Sequence, residues 1–246
     1  MIIRDRRLRW PIAVKLEAAV RGQRVVAVDR RAKYLLIRLE TGSLIVHLGM
    51  SGSLCLIGAT TPPKLHDHWD LVLDSGLALR YHDPRRFGSL HWTQDDPARH
   101  PLLTKLAPEP LSGAFNGAYL FRVTRRRAVA IKQLIMNSQL VVGVGNIYAS
   151  EALFRAGIAP RRAAGRITKL QAQKLSRAIK AVLNAAIKIG GTTLRDYVNA
   201  DGEAGYFRQK LFVYERAGAR CRVCRSVVRQ FTQGQRSTYW CATCQR

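Results

Sequence analysis

The chain has 246 residues, of which 47% are hydrophobic, and 41 Lys and Arg against 16 Asp and Glu leave a net formal charge of +25. That composition is globular and excludes an intrinsically disordered chain. No apolar run is long enough to cross a bilayer, and arginines break every early stretch where a secretory signal would need its apolar region, so a cytoplasmic protein is expected. A fold that tolerates so much self-repulsion points to a polyanionic partner. Nucleic acid is favoured over a membrane surface because no basic amphipathic helix with a bulky apolar face stands out.

The opening MIIRDRRLRW reads as the end of a strand leading into LRWP. From residue 24 to 92, the runs RVVAVD, KYLLIRL, SLIVHLGM, DLVLDS and LALRYH alternate with a period of two between Gly, Asp and Ser turns. Such short strands at close spacing predict a two-layered antiparallel sandwich. QDDPARHP is then a loop, and LAPEPLS marks a boundary. Beyond it the period becomes helical. Ser112 is placed to cap a helix through GAFNGAYLFRV, and RAVAIKQLIM carries apolar residues at helical spacing. VVGVGNIYASEALFRAG reads as a glycine turn and a helix ending at Gly157. Thr168 caps a long amphipathic helix that Gly190 and Gly191 stop. Residues 190–206 hold four glycines and read as a mobile loop.

Four of the five cysteines crowd the C-terminus as C-x2-C-x16-C-x2-C: Cys221, Cys224, Cys241 and Cys244. Two close pairs at that separation suit one tetrahedral, structural Zn2+ held by four thiolates. Two disulfides or a redox pair are the alternatives, and an intracellular setting favours zinc. Seven arginines and no acid lie between Arg216 and Arg246, more than the metal needs for charge balance. The span between the pairs is long enough for a hairpin whose Gly234 tip projects Gln235 and Arg236.

Further motifs point to DNA. GVGN opens a helix, where free N–H groups and the Asn146 side chain suit an anion. HLGMSGSL and DPRRFGSL each set a bulky residue beside glycine in a turn, Met50 in one and Phe87 with Arg85 and Arg86 in the other. Apolar side chains flanked by arginine suit insertion between stacked bases, although core burial is their commoner fate. HDHWD has metal-ligand residue types but no distant third ligand, so His66 on a phosphate is preferred to a metal. Lys33, in RRAKYLL, is placed to reach DNA or to move a proton.

Taken together, LRWP, RRAKYLL, HLGMSGSL, HDHWD, YHDPRRFG, PEPLS, VVGVGNIYASEALF, GGTTLRD, GYF and the cysteine hairpin with GQR resemble the formamidopyrimidine-DNA glycosylase family. The related endonuclease VIII branch shares the architecture but not the HLGMSGSL and DPRRFG combination. The resemblance implies an α+β multi-domain fold: a β-sandwich over residues 1–106, a helix-two-turns-helix domain over 107–211 and a zinc hairpin over 212–246. It implies a monomer that removes oxidised purines from double-stranded DNA, bound in a cleft between lobes, and then cleaves the abasic site. Lys33, His47, Asn146 and Arg236 would grip phosphates. Met50, Arg85 and Phe87 would fill the gap left by the flipped nucleotide, with Arg85 facing the orphaned cytosine. His66, Arg85 and Arg127 match DNA-contacting positions, Arg127 from a stretch one residue longer than the family pattern. Lys33 and Arg236 would donate protons in the elimination steps, and the loop 190–206 would close over the extruded base.

One departure concerns catalysis. The family begins with a proline whose amine attacks the sugar, followed by a glutamate. Here the second residue is Ile2, the first proline Pro11 and the first glutamate Glu17, and LRWP aligns to a later part of the pattern. A shortened start is therefore expected, and with it an exposed sheet edge. The rival reading is a zinc-dependent DNA-binding protein without activity.

Overall fold

The computed structural model describes residues 1–189 and 211–246, which divide between two compact units. The first unit, Met1–Thr104, holds two four-stranded antiparallel sheets. One is built from β1 (Ile2–Ile3), β5 (Ser53–Gly58), β6 (Asp67–Val72) and β7 (Leu77–His82), in the order β1-β6-β7-β5. The other is β2 (Val25–Arg31), β3 (Tyr34–Leu39), β4 (Gly42–His47) and β8 (Ser89–Thr93), in chain order. The alternating pattern puts Ile37, Leu39, Leu44 and Val46 from one sheet against Trp69, Leu71 and Tyr81 from the other. Trp69 and Tyr81 stack at 5.3 Å between ring centroids.

The N-terminal segment closes this core. Leu8, Ile12, Leu16 and Val20 are buried, the last two on the short helix α1 (Leu16–Val20), which lies between the strand-like runs. β1 pairs with β6 only at Ile2–Asp70 and Ile3–Trp69, and the N–H groups of Arg4 and Asp5 donate to His68 O. Beside the end of β1 a groove of about 840 Å³ opens, lined by Met1, Val20, Val25, Leu39 and Leu71. Inside the sheet, the buried Asp70 carboxylate accepts from Arg80 and Arg4. Burial pushes its pKa up, but those hydrogen bonds outweigh burial and hold it at about 2.

The second unit comprises Lys105–Ile189 and residues 211–246. Its helices are α2 (Gly117–Thr124), α3 (Ile131–Ile135), α4 (Asn146–Ala156) and α5 (Lys169–Lys188). A hairpin of β9 (Arg229–Gln233) and β10 (Arg236–Trp240) follows. Thr168 caps α5 as expected, and the structure adds a reciprocal capping box with Gln171. α4 stops at Gly157, whose N–H donates to the carbonyls of Leu153 and Phe154.

Two expectations are corrected. Ser112 does not cap α2: its hydroxyl donates to Glu109 O at 2.9 Å, and Asn116, four residues on, accepts from Tyr119 N instead. RAVAIKQLIM is not one helix. Arg126 takes a positive φ of 56°, Ala130 bridges to Ala163, and only Ile131–Ile135 is helical. Backbone pairing to the 162–164 segment satisfies the N–H and C=O groups that a longer helix would have used. The loop 190–206 lies outside the described residues. Among the described residues, no helix is long and apolar enough to cross a membrane.

Candidate nucleic-acid interface and metal centre

The four cysteines of the C-terminal segment converge. Their sulfurs all lie within 4.8 Å of one another, with Cys224–Cys241 at 3.4 Å and Cys221–Cys244 at 4.0 Å. A disulfide needs about 2.05 Å, whereas a tetrahedral metal bound at about 2.3 Å sets sulfur–sulfur edges of roughly 3.8 Å. The donor set therefore fits one tetrahedral ion. Gln245 locks the second pair in place, accepting from Cys241 N and donating to Ile158 O just beyond α4. Phe154, Val213 and Val228 pack around the sulfurs. HDHWD gathers no such set: among the described residues, the four cysteines are the one group with metal-binding geometry.

The hairpin turn is built from Gly234 and Gln235, at φ 54° and 57°. Two consecutive positive φ angles are the tight turn that matches strand twist, which favours glycine at this tip. A Cβ on Gly234 would stand 2.7 Å from Gln133 Nε2, so the tip sits against α3 rather than projecting free. Arg236, at the start of β10, is exposed beside a cavity of about 240 Å³ also lined by Lys132, Gln133, Met136, Asn137 and Gln233.

Lys132 is 1% exposed, and no sequence argument singled it out. Its three ammonium protons meet three acceptors: Asn146 Oδ1 at 2.5 Å, Thr238 Oγ1 at 2.7 Å and Ser237 O at 3.2 Å. Burial, with a contribution from the Arg236 charge, brings its pKa down to about 8. The sequence signal was present in AIKQLI, where a lysine interrupts an apolar stripe. Asn146 is occupied as well: its amide donates to Ser237 O (3.0 Å) and Tyr214 OH (3.3 Å). Its side chain is thus an internal strut between α4 and β10. Glu151 likewise escaped notice. Its buried carboxylate accepts from the backbone N–H of Phe212, Val213 and Tyr214 and pins the start of the C-terminal segment to α4.

In the first unit, Lys33 is exposed in the two-residue turn between β2 and β3. His47 ends β4, with its ring 4.9 Å from Tyr34, and its Nδ1 accepts from Gly49 N. Burial, followed by the charges of Lys33 and Arg9, lowers the His47 pKa, so its ring is neutral at pH 7 and Nε2 carries the proton. Met50 is 68% exposed and Phe87 45%, so neither has the core fate that is commonest for these residues. The Arg85 guanidinium lies 4.7 Å from the Phe87 ring centroid. His66 takes a positive φ of 72°, and its carbonyl accepts from Asp83 N at the root of the same loop. Arg127 belongs to the second unit. It is exposed in a recess formed by residues 125–129, where its carbonyl accepts from Gly165 N.

A match to the formamidopyrimidine-DNA glycosylase N-terminal domain spans residues 1–90, and one to the family's H2TH domain spans 106–198. The chain belongs to the formamidopyrimidine-DNA glycosylase family. It is 56% identical to formamidopyrimidine-DNA glycosylase of Stutzerimonas stutzeri (strain A1501) over all 246 residues, covering 91% of that relative. The identity to the Thioalkalivibrio sulfidiphilus enzyme, with the same coverage, is also 56%. Among solved structures, the MutM (Fpg) protein from Thermus thermophilus is 42% identical with a TM-score of 0.85, over 93% of this chain and 85% of that one. A complex between the Lactococcus lactis Fpg and DNA containing an abasic site is 29% identical with a TM-score of 0.88, over 94% and 86% of the two chains. The β-sandwich, the helical unit and the four-cysteine hairpin are thus those of a formamidopyrimidine-DNA glycosylase.

Proposed function

We propose that this chain acts in base-excision repair, as a glycosylase that removes oxidised purines from double-stranded DNA and a lyase that opens the resulting abasic site. The reading is carried by two turns that present Met50 and Phe87 to solvent with Arg85 stacked on the ring. Exposed apolar side chains on short loops, beside a guanidinium, suit the space vacated when a nucleotide leaves the stack. In this reading Met50, Arg85 and Phe87 fill the gap and Arg85 meets the base left opposite. Lys33, His47, Arg236 and the α4 N-terminus at Asn146 hold phosphates around the lesion. His66 and Arg127 contact the flanking backbone, and Lys33 and Arg236 supply protons during elimination. One Zn2+ on Cys221, Cys224, Cys241 and Cys244 serves as a structural crosslink that keeps β10, and with it Arg236, in position.

The family's nucleophile is a proline amine, and the nitrogen of Pro11, the first proline here, lies within a peptide bond. Borohydride trapping on an 8-oxoguanine duplex therefore uses two forms, this chain and the same chain carrying an upstream segment that begins Pro-Glu. A covalent adduct is expected from the extended form. If the extended form does not trap, the enzyme reading is wrong and a zinc-dependent DNA-binding protein is left.

Arg236→Ala tests the phosphate grip. Its loss should weaken lesion-DNA binding and reduce the slope of log affinity against log salt by about 1, the contribution of one phosphate contact. Fluorescence anisotropy over a salt series reads both quantities, and an unchanged slope removes Arg236 from the interface.

A further inference from the structure

We infer that Asp83 is a positioning residue, whose buried carboxylate clasps the Met50 turn to the Arg85–Phe87 loop and so holds the gap-filling side chains outward together. The inference rests on the gap-filling reading of those side chains and names the group through which they act as one unit. Asp83 is fully buried, and its two oxygens accept four hydrogen bonds. Oδ1 accepts from Ser51 Oγ at 2.6 Å and from Arg85 N at 3.3 Å. Oδ2 accepts from Gly88 N at 2.9 Å and from Tyr81 OH at 3.0 Å. Ser51 follows Met50 directly, while the amides of Arg85 and Gly88 bracket Phe87, so one side chain spans both loops. An ionised carboxylate has about four acceptor sites, and all of them are used here.

The surroundings show why a rigid clasp is required. A Cβ at Gly88 would lie 1.7 Å from Tyr81 Oη and 2.5 Å from His47 O, so the loop meets the sheet at backbone contact. From the other side, Arg9 N donates to Gly88 O, and Asp5 pairs with Arg86 at 3.2 Å. The loop is fastened inward at Arg86 and Gly88, while Pro84, Arg85 and Phe87 are exposed. Exposed Met50 and Phe87 would lower their free energy by folding back onto the protein. Charge-assisted bonds at their base oppose that collapse and spare DNA the cost of ordering two loops.

The test compares Kd for an undamaged duplex with Kd for a duplex carrying a stable abasic analogue opposite cytosine. A fluorescent adenine analogue beside the abasic position reports whether the gap is filled. Asp83→Asn, which turns an acceptor into a donor facing N–H and O–H groups, should weaken abasic-analogue binding about tenfold and abolish the fluorescence change. Binding to undamaged DNA should stay within about twofold. Ser51→Ala removes only the bond that crosses between the loops. It should shift abasic binding in the same direction by about threefold, and it decides the matter if Asp83→Asn fails to fold. The inference is overturned if both variants keep wild-type preference and fluorescence while Arg85→Ala and Phe87→Ala lose them. Equal loss on both duplexes for Ser51→Ala also overturns it, since that is general destabilisation. If Arg85→Ala and Phe87→Ala themselves change nothing, the gap-filling reading has failed, and the clasp falls with it.

Discussion

Stripping the metal from the cysteine cluster, or replacing Cys241 by serine, is expected to cost at least on the order of a hundredfold in DNA affinity, the loss of several cationic phosphate contacts. The reason is architectural. Val213 and Val228 pack on the sulfurs, and Gln245 ties the second cysteine pair to the end of α4. Free thiols hold that core weakly, whereas a structural zinc site contributes about 10–16 kcal/mol of coupled binding and folding energy. Once the hairpin loosens, β10 no longer presents Arg236, and Lys132 loses Ser237 and Thr238. Metal analysis, circular dichroism and anisotropy on the same chelated sample check this, with recovery on adding Zn2+. Unchanged affinity in metal-free protein would show that the hairpin stands on its own contacts.

The second large effect is expected at Lys132. A buried ammonium held near pH 8 instead of the usual lysine value is bound less tightly to its proton in the folded state than in the unfolded one. Burial of the charge therefore destabilises the fold below pH 8. Stability contributed at this position rises as the pH passes from about 8 towards 10.5, by as much as about 3 kcal/mol if the full shift is realised. DNA binding moves the opposite way. A phosphate beside Arg236 favours the charged ammonium, so above pH 8 affinity should fall by up to about tenfold per pH unit. Lys132→Met removes the titration and leaves Asn146 Oδ1 without its donor, while Ser237 O keeps the Asn146 amide. It should lower affinity by about tenfold at pH 7 and flatten the pH profile above 8. Denaturant titrations and anisotropy between pH 7 and 9.5, made on both proteins, check the two signs independently. A wild-type profile as flat as the variant's would disprove the coupling.

Local pattern was enough to place β2, β3, β4, β6 and β7 of the sandwich, both ends of α4, the start of α5 and the four cysteines, but it passed over β5 and β8. Each of those placed is a short-range signal: alternation of period two, a threonine cap at a helix start, glycine at a helix end, paired thiols. The same reasoning failed where a side chain or a stretch of backbone had two uses and the local pattern could not rank them. Ser112 has the side chain of a cap, but its hydroxyl is taken by Glu109 O and Asn116 caps the helix. RAVAIKQLIM has helical spacing, yet its first residues pair with the backbone of residues 162–164, some thirty positions away.

By itself the sequence determined which chemistries this protein has at its disposal: a strongly cationic surface, four thiolates at metal-binding spacing, and glycine-flanked Met50 and Phe87 beside arginine. Periodicity and residue type are local properties, and local properties survive translation into a fold. Only the tertiary structure decided that Met50 and Phe87 face solvent rather than the core, that Asn146 is a strut, and that Lys132, Glu151 and Asp83 are buried organisers. Burial of a charged group costs several kcal/mol unless partners meet it. Those partners come from positions as far apart as Lys132 and Thr238, and no local pattern encodes their convergence.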